Sequence, residues 1–392
     1  MRTKTIALVP GDGSGPEMMV WACMAAARAA LKDDLHLEFE TTPMGWAAYE
    51  KYGDTLPEES FRRAVEIGTI FFGGVGDPKF DNTIGKEKPA MKPEARCLLA
   101  LRKEMGLLLN FRPMIYHKEL AHLTNVKPET IPDEGIKQVW IRFLLKDSYF
   151  GNEDLMQYIP AEVCEKLGIK LKKNVTGEEE MVVDLAYYCR NSIEKYIRAA
   201  FAYAKDAGLP LISIDKANVM ARYDFWRRIV TKIGKEEFPN VPLMHQYVDS
   251  ANALLFTPAQ LHGVIACGNE HGDILSDGAA SALGSMGMMC SSAINPDTGA
   301  AMFESGAGTA PTLAGLNKAN PIGRILTGAM MLRHLGAVNG AKAIEDAVKK
   351  ALSMGYRTGD MCSDGPSKLA FPGYMDKVLG TKEMGELILS LL

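Results

Sequence analysis

The 392-residue chain has no excess of positive charge: 44 Lys and Arg stand against 48 Asp and Glu, a formal net charge of -4. That balance lacks the basic footprint of a nucleic-acid-binding domain, so no nucleic-acid partner is expected. No apolar run approaches the roughly 20 residues of a membrane-spanning helix, so no membrane partner is expected either. A charged leader followed by a short apolar segment is missing, and the expectation is a chain without a signal peptide. The seven cysteines are an odd number and include no Cys-x-x-Cys pair, which predicts reduced thiols and a cytoplasmic location. The seven histidines show no ligand spacing such as His-x-x-x-His. Asn174-Val175-Thr176 fits the glycosylation triplet, but without a secretion signal it is a chance match. Internal repeats, low-complexity tracts and Pro/Ser-rich linkers are also missing.

What remains is a globular composition, 47% hydrophobic and 23% charged, in a chain long enough for two or three domains. Strand-like apolar runs at 4–9, 68–72, 139–142, 211–214, 243–248 and 264–267 alternate with helical patterns. The helical patterns cover 18–31, 93–108, 184–207, 221–234, 341–354 and 381–391, and another starts at Asn320-Pro321 and ends near Leu335. Residues 279–289, rich in small side chains and methionine, read as core packing. A polar stretch over 148–180 reads as an excursion from the main core. Such βαβ alternation predicts an α/β protein with a mostly parallel sheet flanked by helices. Ligands of such sheets bind at the carboxyl ends of strands.

Polar residues fall at those ends. The strand Val264-Ile265-Ala266-Cys267 leads through Gly268 into a helix carrying Asp273 and Asp277. Four residues apart on a helix, the two carboxylates share one face. On a surface helix they would simply be solvated. A third acid, Asp249, follows the run 243–248, and Lys216 follows the run 211–214. Three acids whose repulsion needs a counter-charge, with a lysine beside them, look like one metal-centred site for Mg²⁺ or Mn²⁺.

Arg102, Arg112 and Arg142 lie near helix or strand ends and can each hold a carboxylate through two hydrogen bonds. One such arginine is usually a surface charge. Three of them beside the acid cluster suggest a polycarboxylate substrate held against a metal. Glycine loops occur at Pro10-Gly11-Asp12-Gly13-Ser14-Gly15-Pro16, Gly73-Gly74-Val75-Gly76 and Phe303-Glu304-Ser305-Gly306-Ala307-Gly308-Thr309-Ala310-Pro311; the last could wrap a cofactor. The first could pass for a dinucleotide fingerprint, with Glu38 or Glu40 as the ribose acid, but its Gly-x-Gly-x-Gly spacing is a weak match.

Taken together, these segments resemble the β-decarboxylating dehydrogenases of the isocitrate, 3-isopropylmalate, homoisocitrate and tartrate/malate types. The likeness runs from the first glycine loop to near Leu335. It includes Leu101-Arg102-Lys103, Phe111-Arg112-Pro113, Tyr149-Phe150-Gly151, Asp215-Lys216-Ala217-Asn218-Val219, Tyr247-Val248-Asp249, Gly272-Asp273-Ile274-Leu275-Ser276-Asp277 and Ala319-Asn320-Pro321. The resemblance implies a two-domain, non-Rossmann α/β fold: residues 1–107 with 285–392 on the cofactor side, and 108–284 for dimerisation, substrate and metal. It also implies a homodimer whose subunits exchange an arm, here 152–182, and whose active sites are shared. Asp249, Asp273 and Asp277 would hold Mg²⁺ or Mn²⁺. Arg102, Arg112 and Arg142 would grip the malate carboxylates, Lys216 would be the base for the C2 hydroxyl, and Tyr149 would protonate the enol. Lys216 and Asp249 would reach the site from the neighbouring chain.

The same resemblance implies a small 2-hydroxy acid as substrate. Leu98 and Leu99 stand where isocitrate enzymes carry a Ser or Thr, and with Val219 they suit an isopropyl group. The expected reaction is therefore 3-isopropylmalate to 2-oxoisocaproate, as in leucine biosynthesis. Homoisocitrate, isocitrate, tartrate or another alkylmalate is the alternative, and a non-catalytic regulatory relative is the rival of another class. The spacing from Pro93-Glu94 to Leu98-Leu99 is one residue longer than usual for isopropylmalate enzymes, which on a regular helix turns Glu94 by about 100°. Cofactor contacts would come from Ser14, Gly74, Glu304, Gly308, Thr309, Ala310 and Asn320. Ala307 replaces the family's usual histidine, and Thr312 replaces the aspartate of NAD-type members. No Lys or Arg occupies 312 or 313 to meet a 2′-phosphate, so NAD is expected, with NADP left open and Arg324 or Arg333 as the basic residues to consider for it.

Overall fold

Every side chain of Leu211–Asp215 and of Gly263–Cys267 is buried, as expected of strands covered on both faces. They belong to one ten-stranded sheet in a computed structural model that describes residues 1–127, 130–132, 135–145, 147–150, 186–284, 286–306, 308–362 and 377–392. The strands are β1 Arg2–Val9, β2 Leu35–Thr41, β3 Thr69–Phe72, β4 Leu109–Ile115 and β5 Lys137–Phe143. They continue with β6 Leu211–Asp215, β7 Leu243–Tyr247, β8 Gly263–Cys267, β9 Cys290–Ile294 and β10 Ala301–Ser305. Their order across the sheet is β2-β1-β3-β10-β9-β4-β5-β8-β6-β7. The expected arm at 152–182, Ala307 and the triplet at Asn174 lie outside the described residues.

The sheet departs from the expected, mostly parallel pattern at its centre. Parallel flanks β2-β1-β3-β10 and β5-β8-β6-β7 are joined by three antiparallel pairings, β10 with β9, β9 with β4, and β4 with β5. The two flanks therefore run in opposite directions. A tight hairpin makes the first reversal: Gly299, with φ +73°, donates its N–H to Asn295 O, and Asn295 N donates to Ala300 O. Glu304 and Ser305 thus stand at the end of a strand, not in a loop.

The longer helices are α1 Gly15–Ala30, α2 Glu58–Ile67, α3 Arg190–Ala207, α4 Ala221–Glu237, α5 Asn269–Leu283, α6 Ile322–His334, α7 Val338–Ser353 and α8 Thr381–Leu391. α3 begins at Arg190 and not at 184, because Cys189 is still extended at φ -105°, ψ 138°. Small residues let α1, α6 and α7 approach one another. A Cβ at Gly328 would touch Ala26 Cβ at 3.4 Å, and one at Gly340 would lie only 2.5 Å from Ala29 O. Ala22, Ala25, Ala26 and Ala29 with Ile322, Ile325 and Ile344 fill this contact. Phe143, Tyr196 and Trp226 anchor a second core under α3 and α4, with ring centroids 4.9–5.8 Å apart. On the opposite face of the same strands, Trp140, Ile212 and Ile265 pack against Leu275 and Ala279 of α5.

Candidate active site

β4 and β5 set two arginines on one face of the sheet. Asn110 pairs directly with Arg142, and Arg112, two residues further along β4, points to the same side. Both guanidiniums meet the first turns of α5. Arg112 donates to Asp273 Oδ1 at 3.1 Å, Asp277 Oδ1 at 3.0 Å and Ser276 Oγ at 2.7 Å; Arg142 also donates to Asp273 Oδ1. Asn110 and Asn269 orient the two arginines by accepting from their Nε atoms at 2.9 and 2.7 Å. These two asparagines and Ser276 were not among the expected site residues. In Asn110-x-Arg112 the signal is the two-residue spacing of a strand face.

Tyr149 completes this end. Its hydroxyl donates to Asp273 Oδ2 at 3.1 Å, and its ring lies against the Arg142 guanidinium, 5.2 Å from the centroid. Burial pushes the phenol above its usual value, with the Asp273 carboxylate acting in the same direction. Burial also acts to raise the Asp273 carboxyl, but Arg142 and Arg112 outweigh it and hold that group below its usual range. At Asp277 burial prevails over Arg112 and the carboxyl is raised.

Arg112, Arg142, Tyr149 and Asp273 open into a cavity of 540 Å³ that also takes in Gly74, Glu94, Leu98, Leu99, Arg102, Glu304, Gly308 and Thr309. Arg102 is buried and donates to Glu304 Oε1 at 2.7 Å, while its Nε has no partner. Arg102 lines this cavity together with Arg112 and Arg142, and three guanidiniums suit an incoming carboxylate. The extra residue after Glu94 does not turn Glu94 out of line. Glu94–Leu99 wind as a π-helical turn before Ala100–Glu104 continues as α-helix, so Glu94, Leu98, Leu99 and Arg102 all line the cavity. Arg96, inside that turn, is held by Asp54 through bonds of 3.0 and 2.8 Å.

The glycine loops meet at the other end of the cavity. Asp12 N donates to Gly74 O, Ser14 N and Oγ both donate to Thr309 O, and Thr309 Oγ1 donates to Gly76 O, all at 2.8–2.9 Å. Ser14 is fully buried in this knot, so it positions the 308–310 turn and does not line the cavity, contrary to expectation. Gly74 and Gly308 have positive φ, and open space faces the missing Cβ of Gly308. Ala310 shares the left-handed conformation at φ 39°. Ala310 and Asn320 line a second cavity, of 690 Å³, with Leu313, Lys318 and Asp360. Bare backbone at this turn fits the close approach of a cofactor.

Lys216 and Asp249 stand apart from this set. Lys216 Nζ donates to Asp249 Oδ1 at 2.6 Å, an exposed pair at the ends of β6 and β7. Val219 is exposed beside them and does not line the cavity with Leu98 and Leu99. Among the described residues no three acids, histidines or cysteines gather to hold a metal ion, so one chain does not assemble the expected aspartate triad. Asp273 and Asp277 present hard carboxylate oxygens on one helix face, a donor set that fits Mg²⁺ or Mn²⁺.

The sequence model described as isocitrate/isopropylmalate dehydrogenase matches residues 5–388. The chain belongs to this family. It is 39% identical to the 3-isopropylmalate dehydrogenase of Cupriavidus pinatubonensis over 388 residues, covering 99% of both chains. It is 37% identical to that of Chromobacterium violaceum, covering 95% of this chain and 99% of the relative. The crystal structure of isocitrate dehydrogenase from Methylococcus capsulatus superposes with a TM-score of 0.78 at 27% identity, over 99% of each chain. As a member of the isocitrate/isopropylmalate dehydrogenase family the protein is a β-decarboxylating dehydrogenase, an oxidoreductase acting on CH–OH. No described helix is long and apolar enough to cross a membrane.

Proposed function

We propose that the protein converts 3-isopropylmalate to 2-oxoisocaproate with reduction of NAD, the oxidative step of leucine biosynthesis in a cytoplasmic setting. The observation that carries the substrate is the pairing of Leu98 and Leu99 with Arg102, Arg112 and Arg142 in one cavity. Three guanidiniums suit the two carboxylates of a malate, and two leucines suit an alkyl group where a third carboxylate would be left unpaired. The relatives named as 3-isopropylmalate dehydrogenases support the same substrate.

In this reading Asp273 and Asp277, with Asp249 of a second subunit, hold Mg²⁺ or Mn²⁺, whose Lewis acidity favours loss of CO₂ from a 2-keto acid. Lys216, also from the second subunit, would take the C2 hydroxyl proton, and a bound nicotinamide would supply the hydride acceptor. Tyr149, whose phenol is shifted above its usual value, would deliver a proton to C3 after decarboxylation. Glu304, Gly308, Thr309, Ala310 and Asn320 lie along the two cavities where a dinucleotide fits. Residues 1–107 with 285–392 form the cofactor side, and 108–284 the dimerisation side. The exposed Val219, Phe256 and Ile274, at 61–68% in the single chain, support a dimer that covers them.

A panel of 3-isopropylmalate, isocitrate, homoisocitrate, tartrate and malate, each with Mn²⁺ and NAD⁺ or NADP⁺, tests the reading. The highest kcat/KM is expected for 3-isopropylmalate with NAD⁺. A tricarboxylate that outperforms it would overturn the substrate assignment.

A further inference from the structure

Arg324 carries a charge in a place that disfavours one. It sits in the first turn of α6, where the helix dipole is already positive and that turn holds no acidic residue to offset it. The side chain is 2% exposed, and burial pulls its ionisation down to about 10, so it remains a cation at neutral pH. Its Nη2 donates to Gly308 O at 2.7 Å, but Nε and Nη1, both buried, have no partner among the described residues. The nearby carboxylate, Glu304, is already bonded to Arg102. An unpaired buried guanidinium destabilises a protein unless an anion compensates it.

The place of Arg324 indicates the anion. A Cβ built on Gly74 would lie 3.5 Å from Arg324 Nη2 and from Thr309 Cγ2, so this guanidinium lies directly behind Gly74, Gly308 and Thr309, which line the cavity. The 690 Å³ cavity begins at the next residue, Ala310. A ligand that occupies both cavities must cross the 308–310 turn. In a nicotinamide dinucleotide the segment between its two nucleosides is the diphosphate. Gly323 and Arg324 stand in the first turn of α6, where the N–H groups have no preceding helical carbonyl to bond and the helix end favours an anion.

We propose that Arg324, with the amino end of α6, binds the diphosphate of the dinucleotide cofactor where it crosses the Gly308–Ala310 turn. This rests on the dehydrogenase reading above. It assigns to Arg324 an anchoring role that offsets contacts missing at Ala307 and Thr312, and it separates Arg324 from Arg333, which is engaged at the surface by Glu345.

The test is binding, measured by calorimetry and thermal shift, with inorganic pyrophosphate, NADH and 3-isopropylmalate plus Mn²⁺ as separate probes. Arg324→Met removes the charge, and Arg324→Gln retains a donor for Gly308 O in case the first variant folds poorly. NADH affinity is expected to fall about tenfold to hundredfold in both, with the pyrophosphate shift abolished and 3-isopropylmalate binding unchanged. The ligand-free variants are expected to melt no lower than the parent, because an unpaired buried charge is gone. NADH and pyrophosphate binding that ignores both substitutions overturns the assignment and leaves the dehydrogenase reading intact. Loss confined to 3-isopropylmalate also overturns it, by moving Arg324 to the substrate. A parent enzyme that binds pyrophosphate but no NADH refutes the cofactor reading and, with it, the dinucleotide as the ligand.

Discussion

Lys216 donates to Asp249 across 2.6 Å, and neither residue lines the cavity that Tyr149 shares with Asp273. If both sets act in one reaction, a two-fold partner must bring them together. A heterodimer of Tyr149→Phe and Lys216→Met chains then has one site with both defects and one with none. Purified, doubly tagged heterodimer is expected to show about half the parent activity, whereas each homodimer is inactive. Activity at background would place both residues in sites of a single chain.

The carboxylates of Asp273 and Asp277 share one helix face and the Arg112 guanidinium, and Asp273 is also bonded by Arg142. Removing divalent ions with a chelator is expected to abolish turnover, and Mn²⁺ or Mg²⁺ to restore it. Asp277→Asn should raise the Mn²⁺ concentration needed for half-maximal rate while leaving the far-ultraviolet circular dichroism unchanged. Full activity in a chelated sample free of metal by elemental analysis contradicts the ion's role.

Leu98 and Leu99 line the cavity with the three arginines. Leu98→Ser and Leu99→Ser should each lower kcat/KM for 3-isopropylmalate by about 10–100-fold, the scale of lost alkyl contacts, and barely change that for malate. Steady-state kinetics on both substrates checks this; equal losses would point to a general disturbance of the site.

Asp54 pins Arg96 inside the π-helical turn that aims Glu94, Leu98 and Leu99. Burial acts to raise the Asp54 carboxyl, but the Arg96 bonds and the Leu56 N–H outweigh it, so the folded value is depressed. A depressed carboxylate contributes stability above its unfolded pKa, about 3.9, and loses it as pH falls through the lower folded value. Asp54→Asn should therefore melt below the parent at pH 7, with the gap closing towards pH 2–3. A gap that is constant with pH would mean that the charge of Asp54 contributes nothing.

Much of the fold was legible because fully buried strands such as Gly263–Cys267 read as unbroken apolar runs. Asp273 and Asp277 were legible as one face because a regular helix sets their spacing. The antiparallel centre was not, because Cys290-Ser291-Ser292-Ala293-Ile294 has small, polar side chains that hide a buried strand. Nor was the π-helical turn, which is a response to one extra residue and leaves no composition signal. Ser14 could be read only as a loop polar group, since its partner, Thr309, is 295 residues away. The burial of Arg324 was hidden likewise, because it depends on Gly74 and Gly308 from two separate loops.

The most direct test of the central claim is the stoichiometry of products from 3-isopropylmalate with NAD⁺ and Mn²⁺. NADH, CO₂ and 2-oxoisocaproate are expected in a ratio of one to one to one, followed by absorbance, trapped carbonate and mass spectrometry. NADH formed without CO₂, or no NADH formed from 3-isopropylmalate, would contradict it.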